Sequence, residues 1–202
     1  MGKIKIVLAT SNQGKVREIK KILDIKGIKI LSLADFSERI RITENGRTFK
    51  ENAVKKARAA QKKFGLAAIA DDSGLCVDAL HKKPGVRSAR FARPPVTSEK
   101  LCKKLLRVMK DIPDKKRTAF FVCAVAVAGP GGRIKIIEGK VKGTIIRQLK
   151  GTRGFGYDSV FVPRGYEKTF ARMPIAQKNK ISHRGIAFRR TREYLSSILR
   201  EK

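Results

Sequence analysis

Ile4, Ile6 and Leu8 recur at every second position at the head of the chain, the period of a strand. The polar run Thr10-Ser11-Asn12-Gln13-Gly14 breaks that period and offers helix-capping side chains; Val16, Ile19, Ile22 and Leu23 then follow at helical spacing. A second strand is expected over 28–33. Thr48-Phe49-Lys50-Glu51 has the form of a capping box, and Ala53, Ala57, Ala60 and Phe64 share one stripe of the helix behind it, which Gly65 ends. Leu66 to Ala70 reads as a short apolar strand that runs into Asp71-Asp72-Ser73-Gly74. Beyond Pro94 and Pro95 the spacing predicts a helix over 98–109, then a buried, nearly continuous apolar strand over 118–128. Gly129-Pro130-Gly131-Gly132 turns the chain into a partner strand over 133–141. A glycine-rich loop over 150–158 precedes a short strand over 159–162. The last helix, over 185–199, carries Ala187, Thr191, Tyr194, Leu195 and Ile198 on one side. Early strand–helix alternation and a late hairpin predict an α/β fold around a mixed sheet. No repeat or linker composition divides the chain, so residues 1–202 are read as a single domain.

Charge changes this picture most. Forty-eight Lys and Arg face 17 Asp and Glu, a formal net charge of +31, which favours anionic partners: nucleic acid, anionic membrane or phosphorylated small molecules. The basic residues are spread from Lys3 to Lys202, as on a solvated surface, rather than gathered in a tail. This charge motivates an alternative reading, a nucleic-acid-binding protein on a repurposed nucleotide-hydrolase scaffold. Against it, the aromatic–basic interleaving of RNA modules is missing and the chain has no Trp, so nucleic acid is expected to bind only through non-specific charge. No apolar run approaches the roughly 18 residues a membrane helix needs, and no signal peptide is visible. Cys76, Cys102 and Cys123 match neither a zinc site nor a disulfide framework; buried thiols in a cytoplasmic protein are expected.

Five segments are candidates for chemistry. The Thr10–Lys15 turn sits between a strand and a helix, where backbone N–H groups and the helix dipole favour an anion and Lys15 adds a charge; an ordinary helix cap is the plainer reading. The adjacent carboxylates of Asp71 and Asp72 at the end of an apolar strand call for a cation beside them, and Mg²⁺ is the usual one where phosphates are handled. One Asp can face the site while the other braces the loop, since successive residues of an extended segment point to opposite sides. Glu44 and Glu51 are candidates for a second metal-binding carboxylate, with Glu44 preferred because the capping box already explains Glu51. Lys56, off the alanine stripe, is placed to reach a phosphate. Gly154-Phe155-Gly156-Tyr157-Asp158 lets backbone approach a planar ligand, with an aromatic ring to stack on a base and Asp158 to accept a hydrogen bond from it. Lys178 and Ser182-His183-Arg184-Gly185 precede the final helix, where His183 and Arg184 can donate to a base carbonyl or to phosphate oxygens. His81, in a Lys-rich turn, reads as a surface residue.

Taken in order, these segments resemble the inosine triphosphatase family, the pyrophosphatases of non-standard purine nucleoside triphosphates. The resemblance runs over essentially the whole chain: Ala9-Thr10-Ser11-Asn12-Gln13-Gly14-Lys15, Thr48-Phe49-Lys50-Glu51-Asn52-Ala53, Ala70-Asp71-Asp72-Ser73-Gly74-Leu75, Pro84-Gly85-Val86 with Ser88-Ala89-Arg90, Gly154-Phe155-Gly156-Tyr157-Asp158 and Ile181-Ser182-His183-Arg184-Gly185. It implies Mg²⁺-dependent hydrolysis of ITP, dITP or XTP to the monophosphate and pyrophosphate, by a homodimer. It also implies a long mixed central β-sheet flanked by helices, in two lobes with the active-site cleft between them. By position, Thr10, Ser11, Asn12, Gln13, Gly14 and Lys15 would wrap the triphosphate. Asp72 would hold the metal and act as base for water, with Ser73 beside the substrate and Lys56 on phosphate. Phe155, Gly156, Tyr157, Asp158, Lys178, His183 and Arg184 would enclose the purine and read its 6-oxo group. The chain departs from the family at Arg172, where an acidic residue is common, at Ser159, where Pro is usual, and at Arg93, where a small residue is usual. An acidic pair common in the family is reduced to Thr43-Glu44, which leaves the second metal ligand open between Glu44 and Glu51.

Overall fold

Six strands form one sheet in the order β2-β1-β3-β4-β5-β6 in the computed structural model, which describes residues 3–38, 40 and 42–200. They are β1 (Ile4–Leu8), β2 (Ile28–Ser32), β3 (Ala67–Val77), β4 (Thr118–Ala128), β5 (Ile134–Ile145) and β6 (Phe161–Pro163). The α-helices among the described residues are α1 (Gln13–Ile22), α2 (Phe49–Phe64), α3 (Ser98–Val108), α4 (Ile175–Ile181) and α5 (His183–Arg200). β1 pairs in parallel with both neighbours, Val7 standing opposite Leu31 and Ala68, whereas β5 and β6 are antiparallel. The sheet is therefore mixed, as the order of patterns predicts. None of these helices is long and apolar enough to cross a membrane.

Four elements differ from expectation. β3 does not stop at Ala70 but carries Asp71-Asp72-Ser73-Gly74 within it and ends at Val77. Two adjacent carboxylates look like a strand end, yet here the Lys15 ammonium meets Asp71 and the Asn52 amide meets Asp72 inside the fold. β5 extends to Ile145, because its Lys- and Gly-rich second half hides the alternation. The seven-residue α4 is too short to display a period, and α5 begins at His183, two residues early.

The chain divides into two compact units. The first comprises residues up to Asp72, Cys123–Gly139 and residues from Arg184 on. One of its cores is mainly aliphatic, with Leu8, Ile19, Leu23, Ile69 and Val125 around Phe188. The other is a seam of alanines: Ala53, Ala57 and Ala60 of α2 against Ala68 and Ala70 of β3 and Ala124, Ala126 and Ala128 of β4. The methyl-sized side chains at these positions let the helix lie close to the strands. Thr48 caps α2 by accepting from the Glu51 N–H at 3.1 Å, and Gly65, at φ 64°, ends it in the left-handed conformation.

The second unit comprises Ser73–Val122 and Lys140–His183. Its core is aromatic. Phe161 lies edge-on to Phe121 with ring centres 4.7 Å apart, Phe170 packs 5.3 Å from Phe161, and Leu75, Leu105, Met109 and Tyr157 fill around them. Buried Arg117 donates to the carbonyls of Met109 and Ile145, fastening the end of α3 to the end of β5. All three cysteines are buried free thiols, and His81 is exposed, as expected.

Candidate active site

In the first unit the sequence candidates gather around β3. Asn12 caps α1 by accepting from the Lys15 N–H at 3.1 Å, which opens the helix N-terminus at the exposed Ser11–Gln13 turn. From the first turn of α1, the Lys15 ammonium reaches Asp71, donating to Oδ2 at 2.6 Å. Asp71 is completely buried. Burial alone would push its carboxyl up, but Lys15, Arg184 and Lys56 outweigh it and hold the group well below the usual carboxylate range. Arg184, at the start of α5, donates in turn to Glu18 of α1 at 2.8 Å. Asp71 is thus the anion of a buried ionic brace.

Asp72, one residue on, points the other way and meets different partners. Its Oδ2 accepts from Asn52 Nδ2 at 2.8 Å, and its Oδ1 lies 4.0 Å from the Lys56 ammonium. Burial is the largest influence on this carboxyl and pushes it above its usual value; Glu44 adds to the rise, while Lys56 and Asn52 oppose it. Lys56 bonds Glu44 Oε1 at 2.6 Å, and Asp71, Asp72 and Glu44 together overcome its own burial to raise its pKa. Glu51 is elsewhere: its Oε2 accepts from the Arg47 N–H at 2.8 Å, closing the cap of α2. Of the two glutamates weighed from sequence, Glu44 is the one that shares a cation with Asp72. The pattern of residues missed Asn52. Its signal was its spacing: one turn before Lys56 on α2, it faces the same side.

In the second unit the 154–158 loop is closed on itself by Asp158. The carboxylate Oδ2 accepts from the Phe155 N–H at 2.9 Å and from the Lys178 ammonium at 2.7 Å. Gly154 is required here, since its φ of 79° suits glycine and a Cβ would run into that carboxylate. Lys178, buried on α4, also lies 5.1 Å from the centre of the half-buried Phe155 ring. The Tyr157 side chain belongs to the aromatic core, its hydroxyl donating to the Ser88 carbonyl at 2.9 Å, so this residue presents only backbone to a ligand. The His183 ring stacks parallel on Phe121 at 4.6 Å. Ser73 is half-buried in β3 next to Asp72.

A mixed α/β sheet with two adjacent buried carboxylates on one strand, lysines from two helices on them and a glycine–aromatic loop closed by an Asp–Lys pair defines a recognisable class of protein. A profile of the Ham1 family matches residues 6–194, and the chain belongs to that family. It is 46% identical over 195 residues to the dITP/XTP pyrophosphatase of Desulforamulus reducens, covering 96% of this chain and 97% of that protein. With the dITP/XTP pyrophosphatase of Bacillus subtilis the identity is 42% over 191 residues, covering 95% and 96%. Two solved structures are similar in fold: a HAM1 protein from Coxiella burnetii (TM-score 0.88, 38% identity, 96% of this chain and 99% of that one) and the Ham1 protein of Staphylococcus aureus (TM-score 0.87, 36%, 96% and 98%). The resemblance carried by the six motifs is borne out.

Proposed function

We propose that the protein is a nucleoside triphosphate pyrophosphatase that hydrolyses ITP, dITP and XTP to the monophosphate and pyrophosphate and so clears them from the nucleotide pool. The observation that carries this reading is the different surroundings of two neighbouring carboxylates: buried Asp71 is bonded to the Lys15 ammonium at 2.6 Å, while Asp72, held by Asn52, shares the Lys56 ammonium with Glu44 from 4.0 Å, the looser hold that a base needs. The names of the relatives at 42–46% identity point to two of these substrates, dITP and XTP.

Among the described residues no group of three or more His, Cys, Asp or Glu side chains is arranged to hold a metal ion. Mg²⁺ needs no such group, since it commonly takes one or two carboxylates, substrate phosphates and water. Asp72 and Glu44, already gathered about the Lys56 ammonium, fit that demand and would hold the ion. When bound, it would neutralise charge on the triphosphate.

The chain's own groups do the rest. Asp72 takes the proton of the water that attacks the α-phosphorus, as the bond from that phosphorus to the bridging oxygen breaks and pyrophosphate leaves. Thr10, Ser11, Asn12, Gln13 and Gly14 receive the phosphates at the N-terminus of α1, with Lys15 and Lys56 supplying positive charge. Ser73 lies beside the substrate. Phe155, Gly156, Tyr157 and Asp158, with Lys178, His183 and Arg184, take the purine. Donors directed at a 6-oxo group reject adenine, whose amino group also donates; such a clash costs about 1–3 kcal/mol per group. The working form is a cytoplasmic homodimer, one domain per chain.

Release of monophosphate and pyrophosphate from ITP, XTP, dGTP and ATP with Mg²⁺ tests this reading. Strong turnover of ITP and XTP is expected. Equal turnover of ATP defeats the specificity, and no turnover combined with salt-sensitive binding of DNA or RNA favours the nucleic-acid reading.

A further inference from the structure

Asn52 is 1% exposed and uses both ends of its amide. Its Nδ2 donates to Asp72 Oδ2 at 2.8 Å, and its Oδ1 accepts from the Gly46 N–H at 2.8 Å. The second bond fixes the backbone two residues beyond Glu44. Gly46 is buried, and a Cβ there would stand 2.6 Å from Asn52 Oδ1 and 2.9 Å from Glu51 Cβ, so the segment is pressed against the first turns of α2. One turn further along the same helix, Lys56 bonds Glu44 itself and faces Asp72 Oδ1. The two oxygens of Asp72 are therefore differentiated: Oδ2 is tied to Asn52, and Oδ1 is turned toward the Lys56 ammonium that Glu44 holds.

We infer that Asn52 is the positioning residue of the site, setting the rotation of the Asp72 carboxylate and the reach of Glu44 with a single amide. This rests on the reading of Asp72 and Glu44 as the metal-holding pair. An amide suits the task because it donates to a carboxylate and accepts from a backbone N–H at once. An aspartate keeps the shape and the Gly46 bond but sets a carboxylate against Asp72. A leucine keeps the approximate volume and removes both bonds. The two substitutions thus divide the functions of the residue.

The test compares full-length wild type, Asn52→Asp and Asn52→Leu by two measurements: Mn²⁺ binding to the nucleotide-free protein by electron paramagnetic resonance, and steady-state hydrolysis of ITP. Outer contacts of metal-holding groups typically contribute roughly 10–100-fold in affinity or activity. Both variants are expected to fall in kcat by that factor, with KM for ITP within about threefold of wild type because the groups assigned to phosphate and purine are untouched. Mn²⁺ affinity is expected to drop by the same roughly 10–100-fold in Asn52→Leu, which loses both ties. In Asn52→Asp the extra carboxylate offsets part of that drop, so kcat falls further than metal affinity does. Wild-type kcat and Mn²⁺ affinity in either variant that keeps its thermal transition overturn the inference, as does a wild type that binds no Mn²⁺. A wild type that binds Mn²⁺ and loses it in Asn52→Leu, but turns over no ITP, overturns the proposed substrate and leaves Asn52 standing. If Asn52→Leu does not fold, Asn52→Asp, which retains the Gly46 bond, decides the matter.

Discussion

Around Asp72 the polar side chains hang on a seam of alanines; around Asp158 they hang on a cluster of phenylalanines. In the first unit the helix must come close, because Asn52 is a short side chain and has to touch a strand. Methyl-sized packing at Ala53, Ala57 and Ala60 makes that approach possible. In the second unit the reach is long: Lys178 extends from α4 to Asp158, and bulky rings flank its ammonium. The same contrast appears between neighbours on β3. Asp71 faces Lys15 and the field of Arg184, whereas Asp72 faces an amide and a lysine shared with Glu44. Small-residue packing positions carboxylates tightly; aromatic packing supports one buried ion pair and a loop.

The largest expected effect separates the two carboxylates. Asp72→Asn should lower kcat/KM for ITP by about 10²–10⁴-fold, the usual contribution of a general base. It should leave the protein at least as stable at pH 7. Because the folded carboxyl of Asp72 is raised, its stabilising contribution is present below the unfolded value and lost as pH rises through the folded one; asparagine removes that loss. Asp71→Asn should do the reverse to stability, costing about 3–5 kcal/mol by leaving buried cations without their anion. Its depressed carboxyl contributes above the ordinary value near about 4 and loses that contribution as pH falls toward the folded value. Urea melts at pH 7 and pH 3 should therefore show the gap between wild type and Asp71→Asn narrowing with acid. An acid-independent gap would show that Asp71 acts by shape alone.

Next come the two packings themselves. Phe170→Ala should cost about 3–5 kcal/mol as a large cavity in the aromatic core, and should raise KM for ITP, because the ring stands 5.9 Å from the Lys178 ammonium. Ala57→Leu should cost less, about 1–3 kcal/mol of overpacking, yet lower kcat, since it lifts α2 and with it Asn52 and Lys56. Thermal melts and steady-state kinetics on both variants check the crossing of the two effects. Equal losses of kcat in both would erase the distinction between the units.

Much of this was legible in residue order. The capping box, the alanine stripe and Gly65 give α2 its bounds within a residue, and the continuous apolar run gives β4 outright. Periodicity could not give β3 past Ala70, because charges inside a strand are tolerated only when partners distant in sequence arrive; Lys15 is 56 residues from Asp71. Asn52 was hidden for the same reason: next to Glu51 in a capping box it looks like an ordinary first-turn polar residue. The same capping box explains Glu51 from the sequence and so favours Glu44 as the metal-binding carboxylate, and the Glu51 carboxylate does close the cap.

The smallest effect tests whether α2 works through one end. Thr48→Ala removes the side-chain acceptor of the Glu51 N–H, and Gly65→Ala puts a Cβ on a left-handed residue at the opposite end. Each should cost about 1 kcal/mol. Only the N-terminal change lies within a turn of Asn52, so frayed helix there loosens the amide that holds Asp72, while fraying at Phe64 leaves it in place. Matched melting curves with a several-fold lower kcat in Thr48→Ala alone are expected. If kcat falls equally in both, the position of Asp72 depends on the stability of the whole helix rather than on its first turns, and the alanine seam, not the cap, fixes the site.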